Sequence, residues 1–270
     1  MEVKMSVRKT AWLGLQISLC LLPTLAAAQS PFDGTWKQDL SKSKIHMKPL
    51  IYLLQEGMYS CKSCPPPFTI KADGQQHAVS GMPWMDSMSV KVVDAHTIEL
   101  VSKKDGRVTN TQKRTVSADG NTLTEESTDT TVAGVAPVTS KATWKRVASG
   151  PAGSHLFSGS WDASDVGTYS ENGLLFTMKV TGDTLSWSSA SGQSYTVKLD
   201  GTPGPFVGDP GIDTISVKLL SANSVESTGY SKGKVIYTDK SSVSADGKTL
   251  TTYWENKLTD ASGEAVAEKQ

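Results

Sequence analysis

The chain has 270 residues, and its 27 Lys and Arg balance its 27 Asp and Glu. A protein without net charge lacks the electrostatic footprint that binding nucleic acid or anionic lipid requires. Its length suffices for two domains, each burying its own core.

The chain opens with Lys4, Arg8 and Lys9, an apolar run over residues 11–22, Pro23, and the small residues Ala26-Ala27-Ala28. A charged start, an apolar centre and an A-x-A site describe a secretory signal peptide, expected at residues 1–28 and cut after Ala28. The run is too short for a membrane anchor. Cys20 lies inside it, with Leu19 where a lipobox carries a small residue, so Cys20 is expected to leave with the leader. Losing Lys4, Arg8, Lys9 and Glu2 takes the formal charge from zero to −2. No later stretch reaches transmembrane length, so the mature chain is expected to stay out of the membrane, in the periplasm or outside the cell.

Next comes Phe32-Asp33-Gly34-Thr35-Trp36, where Gly permits a tight turn and Trp can plug one end of a small barrel. Cys61-Lys62-Ser63-Cys64 is the remaining Cys pair. Export favours a local disulfide; a redox motif would need a helix N-terminus, and structural zinc would need two ligands beyond the Cys pair, with only the scattered His46, His77 and His96 to supply them. Met82, Met85 and Met88 beside Trp84 and His77 could hold copper(I), against the simpler reading of core filling. No metal is expected. Residues 87–93 alternate cleanly, with Met88, Val90 and Val92 on one face, as in a half-buried strand. In residues 108–116, if Val108 and Val116 point inward, Asn110, Gln112 and Arg114 share the inner face. A dry core would not accept that row unpaired. The alternatives are a polar lumen, in which an unpaired Arg114 meets the head of an anionic amphiphile, and a β-bulge that turns the row outward.

Residues 148–154, Ala-Ser-Gly-Pro-Ala-Gly-Ser, have the composition of a linker. Beyond them the text repeats. Phe157-Ser158-Gly159-Ser160-Trp161 restates the opening motif, and residues 69–124 and 196–251 align without a gap at an offset of about 127, with about two in five positions identical. Asp73-Gly74, Asp105-Gly106, Asp119-Gly120, Asp200-Gly201 and Asp246-Gly247 mark tight turns between Thr- and Val-rich runs. The twin of the inner row is Tyr237, Asp239 and Ser241. The expected fold is all-β: two tandem antiparallel up-and-down barrels, closed because closure removes exposed edges. A two-sheet sandwich is the alternative. The expected division is residues 29–147 for the first barrel, 148–154 for the linker and 155–270 for the second.

The paired Gly-x-Trp motifs resemble the lipocalin and fatty-acid-binding (calycin) group. That likeness implies that Trp36 and Trp161 close the barrel floors and that a basic residue packs across each Trp: Arg146 in the first half and Lys269 in the second. The fuller pattern, F-x-G-x-W followed by G-x-P-x-x-D (81–86, 208–213) and V-S-A-D-G-x-T-L, is similar to secreted bacterial repeat proteins of unassigned function.

Three functions follow. The first is an exported noncatalytic protein holding a small amphipathic or apolar ligand in a barrel. The second is a structural or interaction module with filled barrels. The third, an enzyme of lipocalin-like type, lacks support, because the chain has no G-x-S-x-G, H-E-x-x-H or P-loop pattern. No catalytic residue and no cofactor are assigned, and the oligomeric state is left open. A lumen of ~300 Å³ or more separates a binder from a filled module.

Overall fold

The computed structural model describes residues 29–163 and 166–270. The expected leader at 1–28 lies outside them. The protein is all-β, with a single short 3-10 turn at Glu171–Gly173 among the described residues. Its strands form two antiparallel barrels, the second closed and the first nearly so.

The chain first lays down β1 (Gly34–Gln38) and β2 (Lys44–His46). The first barrel then runs through β3 (Leu50–Gln55), β4 (Met58–Cys61), β5 (Phe68–Lys71), β6 (His77–Ala78), β7 (Ser87–Val92), β8 (Thr97–Lys104), β9 (Arg107–Val116), β10 (Thr122–Asp129), β11 (Val138–Ser149) and β12 (Gly159–Ala163). After β13 (Thr168–Tyr169), which pairs with β11, come β14 (Leu175–Thr181), β15 (Thr184–Ser189), β16 (Ser194–Lys198), β17 (Gly204–Val207), β18 (Thr214–Ser221), β19 (Ser224–Ser231), β20 (Lys234–Val243), β21 (Thr249–Asn256) and β22 (Ala261–Lys269). Neighbours in the sheets are neighbours in sequence, the meander that the Asp-Gly turns imply.

The opening motifs break that order. β12 pairs with β11 on one side and with β3 on the other, so it closes the first barrel. β1 pairs with β14 and β22 and closes the second. The sheets therefore cut across the division drawn from the repeats. One barrel is built from residues 50–163, and the other from 34–38 with 175–269. Residues 148–154 are not a connector between barrels: Ala148 and Ser149 lie in β11 opposite Ser160 and Gly159. Gly150 N–H donates to Ser158 O across the same turn at 3.1 Å. The physical reason is loop closure. β12 follows β11 directly and pairs as a local hairpin at low entropic cost, leaving β1 to fill the gap in the other barrel.

The glycine of the motif is required by this packing. A Cβ on Gly159 would sit 2.3 Å from Ala148 O, and its φ of +141° is one that other residues rarely adopt. The residue before each motif glycine reaches the adjoining strand. Ser158 Oγ accepts the Leu54 N–H at 2.8 Å, and Asp33 Oδ1 accepts the Val180 N–H at 2.7 Å.

Closure differs at one seam. In the second barrel β16 pairs with β17 through Ser194↔Val207 and Tyr195↔Phe206. At the offset of the repeat, Ser194 corresponds to Pro67, in the run Pro65-Pro66-Pro67. Proline has no N–H for the ladder, and β5 and β6 are the two ends of the first sheet. Gly81, in the first G-x-P motif, turns at this seam with φ +83° and passes so close that a Cβ would lie 2.8 Å from Pro66 Cγ.

Each barrel has its own core. Val90, Ile98, Leu100, Val116, Leu123 and Trp161 anchor the first, and Val217, Val225, Leu185, Val243, Leu250 and Trp36 the second.

Candidate functional site: the barrel interiors

Both motif tryptophans are fully buried. Trp36 Nε1 donates to Phe32 O at 2.9 Å, and Trp161 Nε1 to Phe157 O at 3.0 Å. Each is covered by a cation, but the partners are the reverse of the expected ones. Arg146 lies over Trp161 at 4.0 Å and Lys269 over Trp36 at 4.7 Å. Arg146 also donates to Ser158 O at 2.8 Å and to Leu156 O at 2.6 Å. The exchange follows from β1 and β12 having traded barrels.

In the first barrel, Asn110, Gln112 and Arg114 lie on the inner face with Val116, opposite Ser102, Leu100 and Ile98 of β8. A bulge is present, but at Thr109, before the row begins, so it displaces Val108 and not the three polar residues. Asn110 Nδ2 donates to Ser127 Oγ at 2.9 Å. Arg114 is 8% exposed, and its Nε is 2.7 Å from Glu125 Oε2 directly across the ladder. The expectation of a guanidinium without a carboxylate partner is thereby corrected. Its Cζ lies 4.9 Å from the Tyr52 ring centroid and 5.7 Å from that of Phe157. Burial acts to discharge Arg114, but Glu125 first, then Tyr52 and Tyr59, outweigh it and hold the charge more firmly than usual. Tyr52, Tyr59 and Phe157 are themselves buried and stack on one another. Side chains occupy this lumen around Arg114.

Cys61 and Cys64 form a disulfide, with Cα atoms 5.5 Å apart. Met82, Met85 and Met88 are all buried in the first core, where they pack as apolar filler.

The second barrel is built on the same ladder with different contents. Where Arg114 faces Glu125, Ser241 faces Thr252. Where Leu54 faces Tyr59 and Tyr52 faces Cys61, Val180 faces Leu185 and Met178 faces Trp187. Losing the guanidinium and both phenols opens a cavity of about 670 Å³. One side of its wall carries Phe176, Trp187, Tyr195 and Phe206. Trp187 and Tyr195 stack with ring centroids 5.4 Å apart, and Phe206 lies 6.0 Å from Trp187. The other side carries Ser227, Tyr237, Asp239, Ser241, Thr252 and Trp254.

Asp239 stands between Ser227 of β19 and Trp254 of β21. Ser241 Oγ donates to its Oδ1 at 3.2 Å. Burial raises its pKa to about 6, against the opposing effect of hydrogen bonds from Ser227, Ser241 and Tyr237. Burial, and then the Asp239 charge, push the hydroxyl pKa values of Tyr195 and Tyr237 upward as well, so both phenols stay neutral.

The polar row was legible in sequence in both halves with its facing left open, whereas the aromatic wall was not legible. Its signal lies in differences between the repeats. Aligning them for what has changed, above all Arg114 to Ser241 and Gln112 to Asp239, marks the second lumen as the altered one. The chain matches no protein-family model and no curated protein. Its class is defined by the fold and this lumen: a two-barrel β-protein whose second barrel holds a cavity.

Proposed function

We propose that this is an exported, noncatalytic two-barrel protein of lipocalin-like type that holds a small amphipathic or apolar molecule in its second barrel. The observation that carries the reading is the 670 Å³ cavity, walled by aromatic rings and a few convergent polar groups. The disulfide is consistent with export, as is the charged and apolar start of the sequence. The filled first barrel favours a second role beside this one, a structural module that carries its neighbour.

The test uses the first barrel as a template. Ser241→Arg with Thr252→Glu copies the Arg114 and Glu125 pair into the hollow lumen at the matching ladder positions. Wild-type protein is expected to bind the neutral fluorescent probe N-phenylnaphthylamine, and the filled variant, folded by circular dichroism, is expected not to. Equal binding by both would place the site elsewhere. Native mass spectrometry of protein taken from its own export route should show a small bound molecule.

A further inference from the structure

The two barrels treat a half-buried carboxylate differently. In the first, Glu125 is met by Arg114 of the same barrel. In the second, Asp239 has space beside it and, among the described residues, forms no ion pair with any Lys, Arg or His. Among the described residues, the cavity wall carries two carboxylates, Asp209 and Asp239, and no basic side chain. Asp209 is engaged by the backbone N–H groups of Gly211 and Ile212, at 2.7 and 2.9 Å. Asp239 accepts only hydroxyl donors, the weaker kind of partner for a carboxylate.

We propose that the hollow barrel takes an organic cation: an amine or quaternary ammonium whose charged head meets Asp239 and whose apolar body lies against Phe176, Trp187, Tyr195 and Phe206. This rests on the reading above that the lumen is a binding site, and it names the ligand's chemistry. A buried carboxylate is stabilised when an opposite charge joins it. The faces of Trp and Tyr attract cations, most strongly where water is excluded. An anionic amphiphile would meet two like charges and no compensating one. Burial raises the Asp239 pKa to about 6, so it is mostly ionised at neutral pH and can receive a cation. The titratable groups on its lumen side are Tyr237 on its own strand, Tyr195 across the lumen and Asp209 on the wall, and none of these is basic. Lys44, His46 and Lys240, with Glu226, Glu255 and Glu264, line a separate groove that Asp239 also borders, and none of the three bases forms an ion pair with it.

The experiment compares three probes of one shape by titration calorimetry on the full chain: naphthylethylamine, naphthylethanol and naphthylacetate. At pH 7.5 the amine should bind at least tenfold tighter than the alcohol, and the acetate weakest. Asp239→Asn should erase the amine's preference and keep the alcohol's affinity. Asp239→Ser serves as a second variant, and melting curves check the fold of both. In wild-type protein the preference should shrink as pH falls through about 6, where Asp239 takes up its proton. Equal binding of amine and alcohol, or an acetate that outcompetes the alcohol, overturns the cation assignment and leaves the lumen reading in place. A failure of all three to bind refutes both.

Discussion

Replacing Trp36 with Ala should destabilise the barrel made mostly of the second half of the chain and leave its own half almost untouched. Trp36 is fully buried between β14 and β22, hydrogen-bonded to Phe32 O and covered by Lys269. Truncating such a residue costs about 3–5 kcal/mol through lost transfer energy and the cavity left behind. That is a large share of a domain's total of roughly 5–15 kcal/mol. For a unit of this size it corresponds to a fall in melting temperature of at least about 12 °C. Hydrogen exchange read by mass spectrometry separates the outcomes. Peptides within 175–269 should lose protection while those within 50–163 keep theirs, and Trp161→Ala should give the mirror image. The reasoning is refuted if Trp36→Ala loosens 50–163 and spares 175–269, because β1 would then close the barrel of its own repeat.

Arg114→Ala should cost the first barrel about 3–5 kcal/mol by stranding Glu125, whereas Arg114→Met with Glu125→Leu should cost far less; urea unfolding measures both. Asp239 gives the second barrel a distinctive pH response. Its folded pKa of about 6 lies above the ordinary 3.8, so the folded state binds the extra proton. The resulting stability is full below about pH 4 and is lost as pH rises through about 6, up to roughly 3 kcal/mol in all. Asp239→Asn should flatten that slope relative to wild type in denaturant titrations at pH 4 to 7, and an unchanged slope would refute the assignment. Gly81→Val should destabilise the first barrel by about 1–3 kcal/mol, since φ +83° and the approach of Pro66 leave no place for a side chain, and Gly106→Val, with no atom near its Cβ position, should show what positive φ alone costs.

The meander and the all-β class were readable because period-two alternation in residues 87–93 and the Asp-Gly turns are local signals; the strand forms as β7, but its burial does not follow the alternation throughout, since Ser89 is buried and Val92 is exposed. For Asn110, Gln112 and Arg114 the sequence left two alternatives, an inward row or one turned outward by a bulge; the bulge falls at Thr109, before the row, a position no local pattern announces. Partner choice was not readable. The shared Gly-x-Trp pattern fits either barrel; the one difference with a partner, Asp33 where the second motif has Ser158, meets Lys179 of β14 only once the strands are in place, and the proximity of β12 to β11 favours the observed choice. Nor could a single strand show that Glu125 would stand opposite Arg114, because that depends on the register between β9 and β10. The hollow lumen was hidden most deeply, since a cavity is a sum over facing strands and no one of them carries its signature.

The exchange of opening strands sets an order in time. β1 leaves the synthetic or translocation machinery before any other strand, yet its neighbours arrive late: Thr177, which meets Thr35, is 142 residues further on, and Lys269, which reaches Pro31, is 238 residues further on. The first barrel can complete itself from nearby hairpins in the meantime, while the hollow one stays open along one side with Phe32 and Trp36 unburied. Its closure is then a bimolecular-like docking of a tethered strand, and at high concentration a neighbouring copy's strand competes for the same slot. A chain assembled in this way should pair with itself when crowded during refolding and remain single when diluted, and ligand in the lumen should favour whichever copy closes first.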